Sequence, residues 1–80
     1  MTGMIVKPEN LTERKTIEIE DTGEVSALYS TAYRLKASEY PDKVLIVPTN
    51  YTKRAMKICK DIGVNVTVRN LTGSFRKQVY

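Results

Sequence analysis

The chain has 80 residues, with 13 Lys or Arg against 9 Asp or Glu, one Cys and no His, which predicts a single domain near the lower size limit for folding without a metal or disulfide. The missing histidine removes the usual general base, the usual zinc ligand and any imidazole triad, and one cysteine allows neither an internal disulfide nor a structural zinc site. No run approaches the ~18 apolar residues of a membrane helix, and Met1 to Val6 is too short for the apolar core of a signal peptide, so a soluble, cytoplasmic protein is expected.

Residues 1–15 are the least defined segment. Met4-Ile5-Val6 suits a short edge strand and Pro8-Glu9-Asn10 a turn. Thr16-Ile17-Glu18-Ile19-Glu20 alternates with the period of a strand, which predicts Ile17 and Ile19 on the core face and Thr16, Glu18 and Glu20 on the exposed one. Asp21 as N-cap and Glu24 three residues on form a capping box that opens a helix reaching about Glu39. Val25, Leu28, Ala32 and Leu35 share its apolar face, Tyr29, Tyr33 and Ala37 form an adjoining stripe, and Pro41 stops it.

The centre of the chain runs from Lys43 to Arg69. Val44 to Val47 is an unbroken apolar run suited to a strand buried on both faces. A helix follows, with Thr49 or Asn50 as its cap, Ala55, Ile58, Cys59 and Ile62 inward, and Gly63 as a left-handed stop. Val64, Val66 and Val68 then alternate with Asn65, Thr67 and Arg69. Asn70 to Ser74 is turn chemistry, after which Phe75 to Tyr80 returns as an antiparallel edge strand or leaves as a basic tail. The order β-α-β-α-β, with a C-terminal edge strand as the further option, predicts an α/β domain of two layers. Both helices would lie on one face of a mixed sheet of three to five strands.

Charge is unevenly shared. Residues 1–42 hold five Lys or Arg and eight Asp or Glu, net −3, whereas residues 43–80 hold eight and one, net +7. If the fold keeps the halves apart, the basic pole suits an anionic partner; if it interleaves them, the poles cancel. Lys53, Lys57 and Lys60 recur on one face of the second helix with Arg54 beside them, and together with Arg69, Arg76 and Lys77 they are the candidate nucleic-acid contacts. Tyr51, Phe75 and Tyr80 are candidates for base stacking. A lysine-bearing helix face is ordinarily just solvated; the lack of acids, Asp61 being the only one in that half, favours a partner.

Other constellations are weaker. Thr49, Asn50 and Thr52 stand where a parallel strand gives way to a helix, a common anion site, although Thr49 or Asn50 serves equally as a simple cap. Glu18 and Glu20, ~7 Å apart along one strand face, are candidate Mg²⁺ ligands or part of a solvated acidic cluster with Asp21 and Glu24. Cys59 faces the core as a packing residue.

From Thr16 to Val68 the layout of acidic strand, helix, apolar strand and a helix ending in Gly63-Val64 resembles the later part of the PD-(D/E)XK nuclease fold. The resemblance implies Glu18 as the second metal-binding acid and Glu9 as the candidate for the first, while the catalytic lysine position holds Glu20. It therefore implies a shortened, inactive relative that keeps a nucleic-acid surface. The leading expectation is a small nucleic-acid-binding or nucleic-acid-associated protein without catalysis and without a cofactor. The alternative is a protein-interaction module, acting as a homodimer or as a small regulatory or viral inhibitor. A metal-dependent nuclease using Mg²⁺ stands third.

Overall fold

The computed structural model describes residues 15–79. The expected Met4-Ile5-Val6 strand, the Pro8-Glu9-Asn10 turn, the Glu9 candidate and Tyr80 lie outside the described residues. Four strands, β1 (Lys15–Ile19), β2 (Asp42–Ile46), β3 (Val66–Arg69) and β4 (Arg76–Val79), form one sheet in the order β1-β2-β3-β4. The first three run parallel and β4 is antiparallel to β3. Helix α1 (Val25–Ala37) connects β1 to β2, and a 3₁₀ turn (Thr49–Tyr51) leads into α2 (Thr52–Ile62), which connects β2 to β3. Both crossovers step the same way along the sheet, so crossovers of one hand put both helices on one face, where they pack against each other. This is the expected two-layer α/β arrangement, with the edge strand rather than the basic tail at the C-terminal end.

The core lies between that face and the helices. Leu28, Ala32 and Leu35 of α1, Ala55, Ile58, Cys59 and Ile62 of α2, and Leu45, Val47, Val64, Val66, Val68 and Val79 from the sheet side are buried together. Burying a leucine as fully as Leu28, Leu35 or Leu45 contributes about 2–3 kcal/mol. Gly63 ends α2 at φ 83°, and the N–H groups of Gly63 and Val64 both bond to the Cys59 carbonyl. No atom lies within 4 Å of where a Gly63 Cβ would stand, so Gly63→Ala adds only left-handed backbone strain. It should destabilise the protein by about 1 kcal/mol, measurable as a shift in the urea midpoint.

The first strand is turned over relative to the expectation. Ile17 and Ile19 are 53% and 62% exposed on the uncovered face, and Thr16, Glu18 and Glu20 face α1. The register explains it. Glu18 stands beside Leu45 while Ile17 and Ile19 stand beside Val44 and Ile46, and neighbouring side chains in a ladder share a face. Leu45 has the helices above it, so Glu18 does too.

The first helix also starts differently. It opens at Val25 with Glu24 as N-cap and without a side-chain capping bond, so there is no Asp21 capping box, and it ends at Ala37 rather than Glu39. The carboxylate of Glu20 instead takes the Thr22 N–H and hydroxyl, building the turn before the helix. Val25 is 51% exposed, and Thr31 joins Leu28, Ala32 and Leu35 on the buried face.

Candidate functional site

Because strand order follows chain order, the described residues of the acidic and basic halves do not interleave. β1 and α1 form one end of the sheet and β4 with α2 the other. The charge asymmetry in the sequence is thus laid out along the sheet.

At the basic end, α2 buries Thr52, Ala55, Ile58, Cys59 and Ile62 and leaves Lys53, Lys57 and Lys60 exposed. Lys57 and Lys60 border an open groove of about 760 Å³ between α2 and β4, together with Met56, Asp61, Gln78 and Val79. Lys77 is paired in register with the buried Val68, so it points to the same side of the sheet as α2. Lys53, Lys57, Lys60 and Lys77 therefore share one side of the molecule. Arg69 and Arg76 are cross-strand neighbours on the opposite, uncovered face. The candidate basic residues thus fall on two faces that meet around the β4 edge.

Arg54 has another task. Its guanidinium donates to the Gly23 carbonyl and lies 5.6 Å from the centre of the Tyr51 ring. A Cβ on Gly23 would clash with that same ring, so the Tyr51 ring is held between Gly23 and Arg54. Phe75 packs against the core. Neither aromatic is presented as a platform for a base. Arg69 is also restrained, as its Nη2 donates to the Leu71 carbonyl at 3.3 Å.

The strand-to-helix turn is closed by internal bonds. Thr52 is buried and its hydroxyl donates to the Thr49 carbonyl, while the Thr49 hydroxyl accepts from the side-chain amide of Asn70; Asn50 alone is left exposed without such a bond. The hydroxyls of Thr49 and Thr52 are thus engaged in internal bonds.

Asn70 is the residue that sequence reasoning missed. It is 2% exposed, and its side-chain oxygen accepts from the N–H groups of Gly73 and Phe75 while its amide donates to Ser74 and Thr49. It ties the β3–β4 turn to the start of α2. Its only signal was membership of a turn-forming stretch. Lys36 was also missed: from α1 it donates to the carbonyl of Ile62 at the end of α2, a favourable place for a cation.

At the acidic end, Arg34 forms an ion pair with Glu18 at 3.2 Å, and Glu20 is held by Thr22 and Thr31. Among the described residues no three acidic, Cys or His side chains converge as a metal site. The Thr22 hydroxyl, with help from Thr31, holds the Glu20 carboxyl below the ordinary glutamate range. A lowered folded pKa stabilises the protein above the unfolded value, and that stability is lost as pH falls through the folded one. An NMR titration should place Glu20 below an ordinary glutamate, and Thr22→Ala should raise it. The Cys59 thiol is pushed up to about 11 by burial, which suits a packing residue. No family model, curated protein or solved structure matches the chain.

Proposed function

We propose that the protein binds nucleic acid without catalysis, through the sugar-phosphate backbone, using the side of the molecule formed by α2 and β4. The observation that carries this is the set Lys53, Lys57, Lys60 and Lys77 on one side, with Asp61 the only acid in that half of the chain and no ion pair to any of the four among the described residues. Unpaired cations of this kind bind phosphates by releasing counterions. Since Tyr51 and Phe75 are engaged internally, the reading favours backbone contact over base stacking, and so weak dependence on sequence. A cytoplasmic setting belongs to this reading.

The nuclease-like resemblance enters only in its non-catalytic form, which the Arg34 bond to Glu18 supports. Titrating a short duplex into the protein at several salt concentrations tests the proposal. With three or four phosphate contacts, affinity should fall about 40- to 150-fold between about 50 and 200 mM salt. No binding at about 50 mM would refute it, and Mg²⁺-dependent hydrolysis abolished by Glu18→Ala would replace it with an enzyme. A protein-interaction role is the second reading, favoured by the exposed Ile17 and Ile19 and by sheet edges at β1 and β4 that no other described strand pairs with.

A further inference from the structure

We infer that copies of this chain associate head to tail, the outer edge of β1 in one copy pairing with the outer edge of β4 in the next. This is independent of nucleic-acid binding. Among the described residues, β1 pairs only with β2 and β4 only with β3, so no described strand covers the outer edge of either.

The phase of the backbone groups along those edges is readable. The Glu20 N–H bonds to the Ile46 carbonyl, so in the parallel ladder the groups of Thr16, Glu18 and Glu20 point inward to β2 and those of Ile17 and Ile19 point outward. On the other edge, the Asn70 N–H bonds to the Phe75 carbonyl. Alternation in the antiparallel ladder then turns the groups of Lys77 and Val79 toward β3 and those of Arg76 and Gln78 outward. The outward residues of both edges, Ile17 and Ile19 on β1, Arg76 and Gln78 on β4, carry their side chains on the uncovered face.

The two edges therefore fit as one antiparallel ladder with the pleats in step. Ile17 meets Gln78 and Ile19 meets Arg76. Since β4 is antiparallel to β3, the added β1 runs parallel to β3, and every copy keeps its helices on the same face of a continuous sheet. In that register Glu18 stands directly opposite Lys77, both on the helix side, in a non-hydrogen-bonded pair where side chains approach most closely. Lys57 and Lys60 border the groove beside this junction.

Charge selects this pairing over the symmetric ones. Joining two β1 edges brings Glu18 and Glu20 toward their own copies, and joining two β4 edges does the same to Arg76 and Lys77; like charges opposed across strands are destabilising. A contact between unlike edges does not close on itself as a dimer, so it builds chains or rings.

Sedimentation velocity on nucleic-acid-free full-length protein at low salt should show species larger than a dimer that grow with concentration. A monomer at every concentration, or a dimer that stops growing, would overturn the inference. Lys77→Glu and Glu18→Lys should each weaken association at least about tenfold, and an equimolar mixture should assemble again because each variant supplies the edge that the other lost. A mixture that stays monomeric counts against it. Should Glu18→Lys lose its fold along with the Arg34 bond, substoichiometric Lys77→Glu added to the wild type decides instead: it should cap and shorten the assemblies, and unchanged assemblies overturn the pairing. Gln78→Pro removes an outward N–H, leaves the backbone ladder to β3 in place at the cost of the Thr67 side-chain bond, and should also block growth. Hydrogen exchange should slow at Ile17, Ile19, Arg76 and Gln78 on assembly. Loss of nucleic-acid binding with assembly intact would leave this inference standing, and the reverse result would leave the nucleic-acid reading standing.

Discussion

Replacing Asn70 with alanine should lower stability by about 3 kcal/mol, seen as a fall of roughly 15 °C in Tm. The side chain is buried and makes four hydrogen bonds, two of them accepted from the backbone N–H groups of Gly73 and Phe75. Alanine leaves those donors without their acceptor inside the turn. Each buried donor left unsatisfied costs about 1–3 kcal/mol, which outweighs what the smaller side chain gains. Asn70→Asp keeps the acceptor but replaces the amide donor to Ser74 and Thr49 with a buried carboxylate to which their hydroxyls must turn and donate, so it should fall between alanine and the wild type. Leu71→Ala, one residue along and 70% exposed, should cost under about 1 kcal/mol. Thermal denaturation of the three variants orders them, and an Asn70→Ala loss below about 1 kcal/mol would show that the turn is held by something else. Because this side chain joins the β3–β4 turn to Thr49, its loss should also loosen β4, which carries Arg76 and Lys77.

The parts of the fold legible in the sequence were those whose signal is local. Gly63 after an amphipathic helix and Val64, Val66 and Val68 facing inward follow from period and backbone freedom, and each is found; the apolar run at Val44 also marks a strand, which spans Asp42–Ile46 with Val44 half-buried and Val47 buried just past its end. Both helices on one face followed from chain length and crossover handedness. The inverted face of β1 was not legible. Alternation shows that isoleucine and glutamate lie on opposite faces, but which face meets the helices depends on register with Leu45. At an edge strand the difference is small enough for Arg34 and Thr31 to reverse the usual rule by binding the two carboxylates. The capping box failed for a related reason, since Glu20 satisfies the turn before the helix begins.

Among the candidate site residues, sequence spacing correctly grouped Lys53, Lys57 and Lys60, because positions on one helix are related by a fixed turn. It could not place Arg69 and Arg76 on the face away from Lys77, since that depends on pairing across β3 and β4. Nor could it see that Arg54 is occupied by Gly23 and Tyr51, residues brought to it by the tertiary fold.

That sorting gives the second large effect. Replacing Lys53, Lys57 and Lys60 together with alanine should weaken duplex binding by about two orders of magnitude at about 100 mM salt, and flatten the log–log salt dependence by about 2.7. All three are exposed on α2, and alanine is the better helix former, so the fold should survive; leaving β4 untouched keeps any association through its edge unaltered. Arg54→Ala removes the same charge from the same helix and should behave differently. Its hydrogen bond to Gly23 and its place over Tyr51 are intramolecular, so the loss should appear as roughly 1 kcal/mol of stability with the salt slope nearly unchanged. Arg69→Ala with Arg76→Ala, on the opposite face, should likewise spare most of the slope. If each cation removed costs the same affinity wherever it lies, the attraction comes from net charge alone and the α2 side is not a binding surface. A loss concentrated in the three lysines is the outcome that a phosphate-tracking helix requires.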